Sequence, residues 1–273
     1  MCGHCVIESV KDRMLSRRNL FKTTAAGAAA AAVGTSALAP PALAAGHGAI
    51  EDLSHALDDK FPTYFGTPGI DLQQVNNFAE HSFNMFRIDL AEHSGTHMDA
   101  PLHFSADGQS VDAVPVENLV VPLCVVDIAA KAQDNPDAEV TPEDLKAWIA
   151  ANGDIPDKAC VAMHSGWGAL TGGDQFRNAD GDGVMHFPGF HVEAAQMLME
   201  ETGAVGMAVD TLSLDFGKSG NFATHYAWLP TNRWGLECVA NLDRLPAAGA
   251  TLVAGAPKIR GGSGGPCRVF ALT

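Results

Sequence analysis

His93-Ser94-Gly95-Thr96-His97-Met98-Asp99-Ala100-Pro101-Leu102-His103-Phe104 is the densest stretch of reactive side chains in the chain. Imidazole nitrogen and carboxylate oxygen are the donors that zinc and manganese accept. Three histidines and an aspartate in one Gly/Pro-punctuated segment are hard to explain by packing, so the run reads as a metal site. His93 and His97 have the spacing of one helical face, yet Gly95, Thr96 and Pro101 oppose a sustained helix. The run is therefore expected on a turn that follows a strand ending at Leu90.

Outward from that turn, strand-like and helix-like patterns alternate. Met85 to Leu90 alternates apolar and polar residues, and Val120 to Ile128, Cys160 to His164, Ala204 to Asp210 and Thr251 to Ala254 are short apolar runs. Cys267 to Leu272 reads as a further strand, entered through a Gly/Ser-rich turn at 261–266. Thr141-Pro142-Glu143-Asp144 predicts a helix start with an N-cap, proline at N1 and acidic residues in the first turn, and Asn152-Gly153 predicts its stop. A second helix is expected from about His191 to Thr202, stopped by Gly203, with Ala194, Ala195, Leu198 and Met199 as its apolar face. Strands interleaved with helices define an α/β class, and the many short strands bounded by Gly and Pro predict a mixed sheet with a few flanking helices.

Residues 1–44 are set apart. Ser16-Arg17-Arg18-Asn19-Leu20-Phe21-Lys22 is a twin-arginine signature, followed by an alanine-rich stretch to Ala39 and a small-residue cleavage site at Ala42-Leu43-Ala44. The expectation is a signal segment over 1–44 and one domain over 45–273, delivered by the twin-arginine export machinery to the periplasm or the exterior. The alanine stretch is shorter than the roughly 20 apolar residues of a membrane span. The whole chain carries a net charge of −15, and the first 44 residues hold five basic and two acidic side chains, so the remainder stands at −18. Such a surface repels phosphate backbones, which argues against nucleic acid as a partner and leaves a small-molecule substrate. Cys124, Cys160, Cys238 and Cys267 sit inside apolar runs and are expected as buried free thiols.

The motif His-x-Gly-Thr-His-x-Asp-x-Pro-x-His-Phe resembles the signature of the cyclase-like metal hydrolases, the family that includes bacterial kynurenine formamidase and isatin hydrolase. Asp52-Leu53-Ser54, Ala208 through Asp215, His225 followed twelve residues later by Glu237, and Pro257 through Val269 resemble further family segments. The resemblance implies that His93, His97 and Asp99 bind a divalent metal, zinc or manganese. Asp99 would bridge to a second ion held by His225 and Glu237, giving one or two ions per chain. It implies His103 as the proton-transfer residue, a swivelling β/β/α-type domain and a homo-oligomer. Tyr64 stands where kynurenine formamidase-like members carry a tryptophan, which points away from a kynurenine-type substrate. Tyr64, Phe65 and Trp167 are the expected aromatic pocket walls.

The reaction this predicts is hydrolysis of an amide or ester carbonyl in an aryl formamide, a cyclic amide or a lactone. A ring-closing or dehydrating enzyme and a non-enzymatic metal-binding protein of the envelope are the alternatives. Three weaker signals complete the reading. Asn178, Asp180, Asp182 and Gly183 read as a polar turn, since position 12 of a calcium loop would fall on Gly189. His164 reads as either a pocket residue or a hydrogen-bonded structural one, and His186 as part of a loop over the site.

Overall fold

The computed structural model describes residues 48–273, and the twin-arginine segment lies outside the described residues. Its strands are β1 (Ile50–Asp52), β2 (Ile70–Asn76), β3 (Met85–Leu90), β4 (His97–Asp99), β5 (Val120–Asp127), β6 (Glu139–Val140), β7 (Cys160–His164), β8 (Gly189–Phe190), β9 (Gly206–Val209), β10 (Trp234–Glu237), β11 (Ala250–Gly255), β12 (Gly264–Pro266) and β13 (Arg268–Leu272). The helices are α1 (Phe78–His81), α2 (Ala129–Asp134), α3 (Pro142–Asn152), α4 (Val192–Glu201) and α5 (Ala223–Trp228).

Nine strands form one sheet in the order β1-β13-β11-β5-β7-β9-β10-β4-β12. The central four, β5, β7, β9 and β10, run parallel, and the strands on either side pair antiparallel. This is the expected mixed sheet. The near-continuous apolar run of β5 has a physical cause: Val121, Leu123 and Val125 enter the core on one face of the sheet, while Cys124 and Val126 enter the other. A strand buried on both faces has no polar side to show.

α3 forms where its signals predicted. Thr141 and Asp144 make a reciprocal capping box, Pro142 sits in the first turn, and Gly153 ends the helix at φ 92°. α4 starts after His191 and ends at Glu201, with Ala194, Ala195, Met197 and Leu198 buried. Met199, expected on its apolar face, is only partly buried. Gly203 directly follows the C-cap Thr202, where the sequence places the helix stop. It is absent from the left-handed residues, and a Cβ there would lie 1.9 Å from Asp157 Oδ1. Its smallness serves a close approach; Thr202, extended at φ −137°, ends the helix, and its hydroxyl donates to the Leu198 carbonyl.

The reactive run is only half a turn. Gly95, at φ 63°, reverses the chain, and His97–Asp99 then enters the large sheet as β4, because Met98 is fully buried in the core behind it. β2 and β3 stand apart from that sheet as a two-stranded antiparallel arm. No helix among the described residues is long and apolar enough to cross a membrane.

Candidate active site

The site is built on the β4–β10 pair. His97 lies directly opposite Glu237, Met98 opposite Leu236 and Asp99 opposite Gly235, while on its other edge Asp99 faces Gly264 of β12. Opposed residues share a face of the sheet, so His97, Asp99 and Glu237 project together as Met98 fills the core behind them. The flanking glycines leave Asp99 room for its neighbours. A Cβ at Gly264 would come within 2.8 Å of His93 Cε1, and one at Gly235 within 2.8 Å of Leu214 Cδ1. His225 arrives from α5, whose first turn is held by Asp215: that carboxylate accepts from the Thr224 and His225 amides at 2.8 and 3.1 Å.

Each ligand-type histidine has its free lone pair set by a partner on the opposite nitrogen. His97 Nδ1 lies 2.8 Å from the Gly95 carbonyl and must carry its hydrogen there. Its Nε2 is buried without a hydrogen-bond partner, 3.3 Å from both Asp99 Oδ1 and Glu237 Oε2. His225 Nδ1 sits 2.6 Å from Asp215, which turns Nε2 toward Asp99 at 3.3 Å and Glu237 at 3.1 Å. For His93 the partner is a relay: Glu92 accepts the Ser263 hydroxyl at 2.5 Å, and Ser263 Oγ lies 3.1 Å from His93 Nε2. His93 Nδ1 is thereby left facing Asp99 Oδ1 at 2.6 Å. Lone pairs aimed at carboxylate oxygens in a dry site repel unless a cation lies between them.

The electrostatics point the same way. Burial alone would push the His97 imidazole down, but the Asp99 and Glu237 carboxylates beside it raise it to about 10. Asp99 itself is held well below the usual carboxylate range, because its histidine contacts outweigh its burial. Two ligand sets share Asp99: His97 with Glu237, and His93 with His103. The donor set therefore fits a divalent cation of the imidazole- and carboxylate-binding class.

His103 lies on the short 3₁₀ turn Pro101–Phe104, with its ring stacked on that of His93 at 3.7 Å and 23°. Burial pushes its imidazole down to about 4, so the ring is neutral at pH 7. Its nitrogens are also within ligand reach of His93 and Asp99, so geometry alone offers it both roles.

A cavity of about 250 Å³ opens over these groups, walled by Tyr64, Phe65, Phe104 and Phe222. Tyr64 packs on Phe65 at 5.4 Å and Phe222 at 5.8 Å, and Phe65, 84% exposed, forms the rim. Trp167 is a correction. It is buried with Phe61 and Phe176, and its indole N–H donates to the Phe176 carbonyl at 2.9 Å. The cause is Asp210, which accepts from the Ser165 and Trp167 amides and tightens the turn after β7, directing the indole into the core.

His164 lies beside Asp210 with Nδ1 at 3.6 Å, away from the cavity, and His186 pairs with Asp137 and Asp180. Asp180 accepts the Asp182 and Val184 amides, as a polar turn does. Cys124, Cys160, Cys238 and Cys267 are buried free thiols. A separate, larger cleft of about 620 Å³ beside Lys60 and Arg177 contains none of the ligand cluster. Sequence reasoning gave no role to Glu92, Ser263, Asp215, Phe104 and Phe222, although Phe104 closes the reactive motif, Asp215 ends the segment from Ala208 and Glu92 adjoins His93.

The Cyclase family profile matches residues 51–216. Isatin hydrolase of Roseibium aggregatum is 34% identical over 218 residues, 76% of this chain and 82% of that protein. Kynurenine formamidase of Salinibacter ruber is 29% identical over 192 residues, covering 70% and 81%. Isatin hydrolase A from Labrenzia aggregata, solved with benzyl benzoate, superposes with a TM-score of 0.78 at 35% identity, covering 82% of this chain and 93% of that one. The chain belongs to the cyclase family of hydrolases, the family of these carbon–nitrogen bond-cleaving relatives.

Proposed function

We propose that the chain hydrolyses the carbonyl–nitrogen bond of a small planar substrate, with a cyclic amide favoured over an aryl formamide or a lactone, using a divalent metal held by His93, His97, Asp99, His225 and Glu237. The observation that carries this reading is His97 Nε2, a buried ring nitrogen with no hydrogen-bond partner, aimed between two carboxylates at the floor of an apolar cavity. The metal, zinc or manganese and one or two per chain, would supply Lewis-acid activation of water at neutral pH.

The chain's own residues do the rest. Tyr64, Phe104 and Phe222 stack on a flat ring and exclude bulk water. His103 accepts the proton of the attacking water and returns it to the leaving nitrogen as the C–N bond breaks and the C–O bond forms. The products are a carboxylate and an amine. The cyclic amide is favoured because the more similar of the two curated relatives named above is an isatin hydrolase and because Tyr64 replaces the tryptophan of kynurenine formamidase-like members. The Arg17-Arg18 segment supports twin-arginine export to the periplasm or the exterior, and the family resemblance supports a homo-oligomer.

The test is metal analysis of the purified chain with a screen of isatin, aryl formamides and lactones, followed by product mass. The expected product is the substrate plus one water, formed at a rate that chelation abolishes and added zinc or manganese restores. A product that has lost water, or a rate indifferent to chelation, overturns the proposal.

A further inference from the structure

Tyr64 and Phe65, part of the aromatic wall of the catalytic cavity, stand on a segment that belongs to no strand or helix. Pro62 to Phe65 face that cavity, while Pro62, Thr63 and Gly66 to Pro68 face the separate cleft of about 620 Å³ on the other side. The segment is therefore a partition with open space on both faces, and packing on its flanks cannot fix it alone. Its hydrogen bonds carry more of that task. Two of them only close the segment on itself: the Gly66 amide donates to the Thr63 carbonyl at 3.1 Å, and the Thr63 hydroxyl to the Thr67 carbonyl at 2.6 Å. Another ties it to the rest of the chain, where Arg177 Nη2 donates to the Tyr64 carbonyl at 3.1 Å across 113 positions. Among the described residues it is the one hydrogen bond between 62–67 and any residue outside that span.

Two further observations show that the guanidinium is placed for this contact. Gly66, at φ 70°, passes so close that a Cβ there would meet Arg177 Nη1 at 2.8 Å and Cζ at 3.2 Å, so the turn is bare of side chain where the guanidinium lies against it. Arg244 and Arg268 pair with Glu51 and Asp52, whereas Arg177 has no carboxylate partner among the described residues, and its Nε is buried without an acceptor. A guanidinium that is neither ion-paired nor fully hydrogen-bonded is costly to hold. What it gains here is a charge-assisted bond to the wall. The place of that wall bears on the chemistry, because the Tyr64 ring packs on Phe222 at 5.8 Å and Phe222 in turn lies 5.9 Å from the ring of His225. We infer that Arg177 is a positioning residue: by holding the Tyr64 carbonyl from the cleft side, it sets where the Tyr64 ring stands and so how tightly a planar substrate is bound over the metal ligands. Its consequence for catalysis rests on the hydrolase reading; its consequence for the 62–67 segment rests on the hydrogen bond alone.

The test compares Arg177→Met, Arg177→Lys and Gly66→Ala with the parent, all metal-loaded and checked by circular dichroism, using hydrogen exchange over 62–68 and steady-state kinetics on isatin. In Arg177→Met, exchange over 62–68 is expected to accelerate on the order of 10-fold, the effect of losing one hydrogen bond to a charged group, while exchange over β7 stays as in the parent. KM should rise roughly 3- to 10-fold with kcat within about 2-fold, the pattern of lost uniform binding. Arg177→Lys should recover part of both effects, because an ammonium can still donate to the carbonyl. Gly66→Ala crowds the guanidinium while leaving Arg177 in place, and should raise KM as well. In a Tyr64→Ala background, Arg177→Met should change KM by less than about 2-fold, since the ring it positions is gone. Unchanged exchange or an unchanged KM in Arg177→Met overturns the proposal, as does a KM effect that persists undiminished without the Tyr64 ring, the mark of a purely structural role. A parent that leaves isatin intact counts against the hydrolase reading for that substrate, and the exchange comparison still decides whether Arg177 holds the segment.

Discussion

The β4–β10 pair and the β2–β3 arm are both antiparallel strand pairs with alternating faces, yet they resolve that alternation in opposite ways. In the first, Met98 and Leu236 are fully buried, and the opposite, polar face is buried too. In the second, the apolar face is half exposed and the polar face is in solvent. Alternation states that one face has to be covered; it does not state by what. Burial of the polar face at β4–β10 is the stronger statement, because buried acceptors without donors cost several kcal/mol unless something positive is supplied.

The contrast can be broken by substitution. The largest effect is expected from His97→Ala, which removes the unpartnered Nε2 and should abolish both metal uptake and turnover, as measured by metal analysis and initial rate. Full metal content in that variant would make the polar face of β4 a structural feature, no different in kind from the arm's. His103→Ala should lower turnover by about 10²- to 10⁴-fold, the usual contribution of a positioned acid or base, with metal content intact. A parallel fall in metal would make it a ligand.

Stability separates the two apolar faces next. Met98→Ala should cost about 2–5 kcal/mol by leaving a cavity in a closed core, whereas Ile88→Ala, measured by denaturant titration, should stay within about 0.5 kcal/mol. Equal losses would mean that the arm's face is packed within its own chain. Ser263→Ala should weaken metal binding by roughly 10- to 100-fold, the usual range for removing the partner of a ligating histidine. Glu92→Gln should act in the same direction, and the double variant should add little if the two residues form one relay. The smallest effect is expected from Tyr64→Ala, a rise in KM of roughly 3- to 10-fold with kcat nearly unchanged, equivalent to the ~1 kcal/mol of an aromatic contact.

What could be read in advance followed range. The capping box at Thr141 and Asp144 acts within one turn of chain, and α3 begins where those residues predict. Strand runs such as Cys160 to His164 were legible because a strand buried on both faces must be apolar throughout. Gly203 was legible as the helix stop, but not the reason for it, because a glycine required by a neighbour's side chain looks the same as one required by a left-handed turn. Trp167 was misplaced for a related reason. Whether an aromatic lines a cavity or the core depends on the local turn, and Asp210, more than forty residues away, sets that turn.

The sequence by itself determined the chemical inventory: a cluster of imidazoles and carboxylates around His97, a strongly acidic chain, and an apolar alternation at Met85 to Leu90. Local spacing and composition carry that much, because donor type and hydrophobic period are properties of neighbouring residues. Only the tertiary structure decided which nitrogen of each histidine is free. The partners that set it, the Gly95 carbonyl, Asp215 and the Glu92–Ser263 pair, include groups up to 171 positions apart. It also decided that the arm's apolar face stays open, since burial is a property of where the rest of the chain goes.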